Sequence, residues 1–348
     1  MNYIGLDCHI TTLDFAVINE RGKLIKTERI DTSVKNLITF IKSIKSPRVV
    51  YVEEGTLANW ILERCTGNGE KLVITNAKEN RWISSSGQKN DKLDALKLAQ
   101  LARGGYIREV HHPVGQRRRF KELIQAYHDT VRSGTRIKNK IKAKFRGNGI
   151  QCAGETIYKK RFREEWREKL PNDPGLLMIV DNLWLQMDQL EEAEDRILVA
   201  AKEQARQFSE IKKFQVIPGI GFITAATVSA ILETPWRFAN KRKVWMYAGL
   251  GIVRRESGER VYSEKLTRNY NRLLKYAIKQ AAEAAIRAKD NPSRRKYLEM
   301  TLLHGVAPHR AKLTVARDIL AVMLAMWRKE EKYKPELREN HLTKQCWT

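Results

Sequence analysis

The sequence predicts an α/β domain built on a mixed sheet, followed by basic helices and a second, mainly helical domain. Short apolar runs alternate with helical patterns over the first 110 residues, which is typical of a sheet covered by helices. Beyond residue 117 helical spacing dominates, with breaks rich in proline or glycine at 171–175 and 217–221. We divide the chain into a first domain at 1–110, basic helices and a coiled-coil linker at 111–213, a second domain at 214–328 and a polar tail at 329–348.

The composition indicates a polyanionic partner. The 348 residues carry a net charge of +25, which favours nucleic acid first and an anionic membrane second. No apolar run approaches the eighteen residues of a membrane span, and no basic segment precedes an apolar one at the start, so we expect neither a membrane anchor nor a signal peptide. The four cysteines are scattered without metal-binding spacing, which is typical of a cytoplasmic protein.

In the first domain, alternating and continuous apolar runs predict five strands with tight early connections. Helical spacing predicts a helix after each of the last three strands. Three consecutive strands followed by alternating helix and strand give a mixed sheet with helices on its faces. The predicted strands are 3–9, 12–19, 24–30, 48–52 and 71–75, and the predicted helices are 34–41, 57–65 and 91–102.

Four carboxylates are placed where they could hold a metal ion. Asp7 lies inside the first strand, Glu53 ends the fourth, and Asp91 and Asp94 lie one turn apart on one helical face. A buried Asp7 must be paired or bound to a cation, although a lysine partner or a bulge would also satisfy it. The order strand 1, strand 4, last helix matches the ribonuclease H-like sheet, in which such acids bind two Mg²⁺ ions for phosphoryl transfer.

The middle of the chain concentrates positive charge on helices. Residues 111–170 contain 17 Lys and Arg against 6 Asp and Glu, which favours contact with a phosphate backbone over a merely solvated face. Apolar residues from Leu176 to Phe208 follow a seven-residue repeat, and this stripe could pack back on the preceding helix or pair with another subunit. The residues we nominate for nucleic-acid contact here are Arg132, Arg136, Lys138, Lys140, Lys142, Lys144, Arg146, Lys159, Lys160 and Arg161.

Two further motifs lie in the second domain. The turn at 217–221 resembles a helix-hairpin-helix connection, in which Gly219 and Gly221 would let backbone amides approach a phosphate. Ser257 follows in a predicted loop crowded with arginines, where a hydroxyl could be aimed at a phosphodiester, although the loop by itself favours a turn residue. The cations nominated around this serine are Arg254, Arg255 and Arg260.

Taken together, these motifs resemble the serine-containing DEDD transposases of bacterial insertion sequences, a family that includes Piv-type DNA invertases and bridge-RNA-guided recombinases. The similarity runs along nearly the whole chain and follows the order of the family's motifs. It rests on Gly5-Leu6-Asp7, Val52-Glu53-Glu54-Gly55, Lys89-Asn90-Asp91-Lys92-Leu93-Asp94-Ala95, Pro218-Gly219-Ile220-Gly221, Ala248-Gly249-Leu250 and Arg255-Glu256-Ser257-Gly258.

The resemblance implies a RuvC-like domain whose Asp7, Glu53, Asp91 and Asp94 bind Mg²⁺, with Mn²⁺ as a substitute. It implies that Ser257 attacks DNA to form a covalent phosphoserine link, in sites that combine residues of two subunits. The implied partners are double-stranded DNA of the element ends and target, a structured guide RNA from the element, and further copies in a homodimer or homotetramer. The implied location is the bacterial cytoplasm, at the nucleoid.

The sequence departs from the family pattern at two places and is compatible with two other functions. Glu54 competes with Glu53 as the acid after the fourth strand, and residues 267–271 lack a glycine that the family pattern has. The chain could instead be a RuvC-like structure-specific endonuclease in which Ser257 is structural. It could also be a non-catalytic nucleic-acid-binding protein, such as the product of a decayed element.

Overall fold

The computed structural model describes residues 1–76, 91–257 and 260–335, with side chains at 255–262 left outside the description. The chain forms two compact units, Met1–Arg118 and Arg119–Thr348. The motif residues Lys89 and Asn90 lie outside the described residues.

The first unit contains a five-stranded mixed sheet with the strand order β3-β2-β1-β4-β5. The first three strands are antiparallel neighbours, while β1, β4 and β5 run parallel to one another. This mixed sheet with helices confirms the predicted α/β class and is compatible with a RuvC-like domain. The elements are β1 (Asn2–Cys8), β2 (Thr12–Asn19), β3 (Leu24–Asp31), α1 (Val34–Ser43), β4 (Arg48–Glu53), α2 (Ala58–Gly67), β5 (Leu72–Thr75) and α3 (Asp91–Arg103).

The two faces of this sheet carry different residues because side chains alternate along a strand. One face, which includes Ile4 and Leu6, forms an apolar core with residues of α1 and α2. The opposite face is covered by α3. That helix approaches so closely that a Cβ atom at Gly5 would collide with the backbone of Ala95 and Ala99. Gly5 therefore sets how near α3, and with it Asp91, lies to the first strand.

Replacing Gly5 with alanine is expected to lower the free energy of unfolding by roughly 1–3 kcal/mol, the usual cost of overpacking a close contact. The added methyl group meets helix backbone rather than a flexible side chain, so α3 must move away from the sheet. Urea unfolding of the purified chain measures the change. Gly67→Ala is the matched control because a Cβ atom there meets nothing within 4 Å. Equal stability of Gly5→Ala and the wild type would contradict this packing.

The second unit begins with two long helices packed antiparallel to each other. Tyr127 Oη donates a hydrogen bond of 3.1 Å to Glu194, and the rings of Phe145 and Trp184 lie 6.1 Å apart further along. Helix α6 starts at Pro174, where the Asp173 carboxylate accepts hydrogen bonds from the first free amides. The elements are α4 (Gly115–Gly147), short 3₁₀ turns at 156–162, α5 (Arg163–Arg167) and α6 (Pro174–Ala205).

The seven-residue apolar stripe on α6 packs inside the chain over its first half. Val180, Leu183 and Met187 are buried in a cluster with Ile141 and Phe145 of α4. The packing back on the preceding helix is thus observed, whereas pairing with another subunit stays a prediction. Phe208 lies beyond the end of α6.

Among the described residues after 205, the second unit consists of helices and one β-hairpin. Its core joins the helices that follow residue 208 to Phe120 and Ala201, so residues from the predicted linker share a core with the predicted second domain. The arginine-rich stretch predicted as a loop is the hairpin, in which residues 252–257 pair antiparallel with residues 260–266. The elements are α7 (Ser209–Phe214), α8 (Phe222–Leu232), α9 (Lys241–Tyr247), β6 (Ile252–Ser257), β7 (Arg260–Leu266), α10 (Arg272–Arg287), α11 (Pro292–Leu298) and α12 (Pro308–Lys329).

The segment 267–271 lacks the glycine of the family pattern. Its last residue, Asn271, caps α10, because the Asn271 side chain accepts a hydrogen bond from Leu274 N. Within the described ranges, no helix is both long and apolar enough to cross a bilayer.

Candidate functional site

A row of charged residues crosses the first three strands on the face that α3 covers. Asp7 lies directly opposite Asp14, and Asp14 lies directly opposite Arg29. The Asp14 side chain is 0% exposed, and its carboxylate accepts hydrogen bonds of 2.8 and 3.0 Å from Arg29 Nε. This charge-assisted pair compensates the burial of Asp14. Sequence reasoning missed both residues, although an acid in the apolar second strand is a signal of the same kind as Asp7.

The start of α3 brings Asp91 to this row. Arg29 Nη2 donates a hydrogen bond of 2.7 Å to Asp91 Oδ2, so one guanidinium joins Asp14 to Asp91. His9 Nε2 lies 3.3 Å from Asp7 Oδ2 and 3.6 Å from Asp91 Oδ1. The ligand atoms of Asp7, His9 and Asp91 all lie within 4.8 Å of one another. The structure thus brings together two of the four predicted acids and adds a histidine.

His9 was not nominated from the sequence, although its position carried a signal. It follows Asp7 by two residues at the end of β1, and strand periodicity places such a pair on one side of the sheet. Histidine is also a common metal ligand. An Asp-x-His ending a buried strand could therefore have been read as a candidate ligand pair.

The electrostatics of Asp7 favour a cation beside it. Burial raises the pKa of the Asp7 carboxyl above its usual value, His9 lowers it, and the negative charge of Asp91 raises it further. Two neighbouring carboxylates are stabilised in their ionised forms by a positive ion between them. Carboxylate oxygens with one imidazole form a donor set that fits a divalent cation.

Glu53 and Asp94 lie near this centre but outside its tightest group. Glu53 ends β4 and shares the sheet face of Asp7, because β1 and β4 pair in parallel with Gly5 opposite Tyr51. Asp7, His9 and Glu53 line one pocket of about 390 Å³. The Asp94 carboxylate lies one helical turn after Asp91, 3.7 Å from Lys97 Nζ.

The competing acid Glu54 follows the end of β4 and lines the same pocket as Glu53. Its Oε1 lies 3.5 Å from His112 Nε2, and its backbone N–H donates to Thr75 O at 2.8 Å. The choice of Glu53 over Glu54 as a metal ligand therefore stays a prediction.

Ser257 is the last residue of β6, and its backbone pairs with Arg260 across the hairpin. The side chains of Ser257, Arg255 and Arg260 lie outside the described residues. Arg254 is exposed on β6, with its Nε 3.5 Å from Glu264 Oε1 on β7. Ser257 thus lies on a hairpin strand rather than in the predicted loop. Its role as a nucleophile stays a prediction.

The two nominated glycines before α8 differ in their surroundings. Gly219 has a φ of +85°, and a Cβ atom there would collide with the backbone of Ala281 and Ala285 on α10. Its lack of a side chain is thus required by helix packing. Gly221 precedes α8 and has open space around its Cα, so an approach of phosphate to this helix start is sterically possible.

The nominated cations of the middle helices divide by exposure. Seven are exposed and three are partly buried, and several hold partners within the chain. Lys138 pairs with Glu191 at 2.9 Å, Lys142 donates to Gly154 O at 2.8 Å, and Lys160 lies 3.4 Å from Asp188. The exposed members are Arg132, Arg136, Lys140, Arg146, Lys159, Lys160 and Arg161, and the partly buried members are Lys138, Lys142 and Lys144.

Comparison with known proteins points to mobile DNA. Residues 4–147 match the DEDD transposase family of IS110, and residues 211–299 match the family described as "Transposase IS116/IS110/IS902 family". The chain is 23% identical over 337 residues to the transposase for insertion sequence element IS1111A of Coxiella burnetii, covering 95% of this chain and 91% of that protein. It is 31% identical over 112 residues to an uncharacterized 43.6 kDa protein of insertion element IS110 from Streptomyces coelicolor, covering 32% of this chain and 27% of that protein.

Proposed function

Because the chain belongs to the IS116/IS110/IS902 family of insertion-sequence transposases, we propose that it cleaves and exchanges strands of double-stranded DNA with a divalent metal ion and a serine nucleophile. The observation that carries the proposal is the convergence of Asp7, His9 and Asp91 within 4.8 Å on one face of the sheet. An acid cluster on a strongly basic chain suits phosphodiester chemistry, since the cations attract the polyanion while the acids hold the metal.

The metal centre of this proposal uses Asp7 and Asp91 as ligands, with Glu53 and Asp94 beside them. When bound there, Mg²⁺, or Mn²⁺ as an alternative, supplies positive charge that stabilises the attacking and leaving oxygens of a phosphodiester. Arg29 keeps the Asp91 carboxylate in place through its 2.7 Å hydrogen bond, and Asp14 in turn fixes Arg29. The close packing of α3 on Gly5 holds the helix that carries Asp91.

Ser257 is the nucleophile of this proposal. Its hydroxyl oxygen forms a bond to phosphorus, and the bond from phosphorus to one deoxyribose oxygen breaks. The hydroxyl proton passes to the departing oxygen. One end of the cut strand then carries a free hydroxyl, while the other end stays joined to the protein as a phosphoserine ester. Attack by the hydroxyl of another strand releases the serine and completes the exchange. Arg254, Arg255 and Arg260 stand close along the hairpin and would stabilise charge on the phosphate.

In this proposal a structured RNA encoded by the element selects the DNA sites. The exposed cations of the middle helices suit contacts with phosphate backbones, which read the shape of a nucleic acid rather than its sequence. Sequence would then be read by base pairing between the RNA and the DNA. A homodimer or homotetramer would bring the metal centre of one copy to the serine of another.

The test is recombination in a bacterial host carrying the gene on a plasmid with its natural flanking DNA. Sequencing of new DNA junctions is expected to detect joined element ends. Deleting the non-coding flanks should remove these junctions, and supplying the flank RNA from a second plasmid should restore them. Junction formation that is unaffected by the deletion would refute RNA guidance, and a complete absence of junctions with intact flanks would refute strand exchange.

A further inference from the structure

The loop between α8 and α9 exposes a tryptophan to solvent. Trp236 is 71% exposed, although indole is among the side chains that gain most from burial. The acid at the start of the loop, Glu233, is buried and lies 2.6 Å from Lys121, so its charge is compensated inside the protein. Tryptophan is enriched among the residues that carry binding energy at contact surfaces, so this exposed indole is a candidate contact residue.

The loop that carries Trp236 is firmly held. Arg328 of α12 donates hydrogen bonds to the carbonyl oxygens of Pro235 at 3.0 Å, Phe238 and Ala239. Arg237 donates to Ile231 O at 3.1 Å, and its guanidinium lies over the rings of Phe238 and Tyr247. The indole is therefore presented by an ordered loop, which reduces the entropy lost when a ligand binds.

One guanidinium lies by this indole, and three further cations follow it closely in the chain. The guanidinium carbon of Arg328 lies 5.6 Å from the centre of the Trp236 ring. Three consecutive exposed cations, Lys241, Arg242 and Lys243, open helix α9 a few residues further along. Proteins bind single strands by stacking bases on aromatic rings and holding phosphates with cations, and this segment exposes both kinds of side chain.

We infer that Trp236 is a stacking platform for an unpaired nucleotide, with the neighbouring phosphates held by the cations at 241–243. Duplex bases are already stacked on one another and do not offer a free face, so the site selects single-stranded segments. The inference rests on the proposed function only in taking nucleic acid as the partner. Unpaired nucleotides arise whenever strands are exchanged or an RNA forms loops.

The test is equilibrium binding of the full chain to labelled oligonucleotides in EDTA, measured by fluorescence anisotropy. Trp236→Ala is expected to weaken binding of a 20-nucleotide poly(dT) strand by roughly 5- to 100-fold, the usual loss for one stacked base. Trp236→Phe should keep most of the affinity, and binding of a fully paired 20-base-pair duplex should not change. Because the chemistry needs a metal, binding in EDTA can succeed even if the proposed cleavage fails.

A salt titration separates stacking from charge. Trp236→Ala is expected to leave the slope of log K against log salt unchanged, whereas Lys241→Ala should reduce it by about 0.7, the value for one phosphate contact on a single strand. Leu302→Ala is the control, since Leu302 is 75% exposed in the same unit but has no Lys or Arg within three positions in sequence. Wild-type affinity of Trp236→Ala for the single strand, or an altered oligomeric state in place of altered binding, would overturn the inference.

Discussion

Replacing Ser257 with alanine is expected to abolish the covalent protein–DNA adduct and strand exchange. Loss of a nucleophile that acts in concert with its site lowers turnover by up to about 10⁶-fold, so no product should be detectable. The measurement is a denaturing gel of labelled DNA carrying both element ends, incubated with the protein, the flank RNA and Mg²⁺. A band of lower mobility that disappears after protease treatment reports the phosphoserine ester in the wild type.

Ser263→Ala is the matched control, because Ser263 lies on the partner strand of the same hairpin, opposite Arg255. It should retain the adduct. Metal binding by Asp7 and Asp91 should be equal in both variants. If Ser257→Ala still cuts DNA, the chain is a hydrolysing RuvC-like endonuclease in which the serine is structural.

Replacing Asp91 with asparagine is expected to weaken Mn²⁺ binding and to remove DNA cleavage. The change removes one carboxylate of the three-residue cluster while leaving its shape. The loss should be at least about 100-fold in metal affinity, since residues that only support a ligand already cost 10- to 100-fold. Calorimetric titration with Mn²⁺ measures the affinity without any need for DNA, and the gel assay measures cleavage.

The same variant should remain folded. The Asp91 side chain is 44% exposed and Arg29 keeps its bonds to Asp14, so the free energy of unfolding should fall by no more than about 1 kcal/mol. Glu28→Gln is the control, because Glu28 on β3 is an acid of similar exposure that pairs with Lys26 and is not among the residues that line the Asp7 pocket, so its metal affinity should equal that of the wild type. A non-catalytic nucleic-acid-binding protein would show no effect of Asp91→Asn in any assay.

Most elements of the first unit could be predicted from the sequence, because they rest on local patterns. The second strand was predicted at 12–19 and is observed as Thr12–Asn19, and the last helix was predicted to run to 102 and is observed to end at Arg103. Apolar alternation and helix-start acids act over a few residues and leave a clear signal. The hairpin at 252–266 was harder, since its charged residues and glycine resemble a loop until the partner strand is known.

The candidate site could be predicted only in part. Asp7 and Asp91 were nominated from the order of acids along predicted elements, and the fold places them together. His9 was missed because an exposed histidine after a strand is common. Asp14 and Arg29 were missed because their pairing depends on strand register, which a single sequence does not specify.

The sequence alone determined which charged and nucleophilic groups this protein carries, since the net charge, the ordered acids and the serine among arginines are properties of the chain. The tertiary structure decided which of these groups meet. Register placed Asp7, Asp14 and Arg29 in one row, and the missing side chain of Gly5 let α3 bring Asp91 to them. Packing likewise left Trp236 exposed, whereas the rings of Phe238 and Tyr247 contact each other. These outcomes depend on contacts between residues far apart in the chain, and local patterns do not encode them.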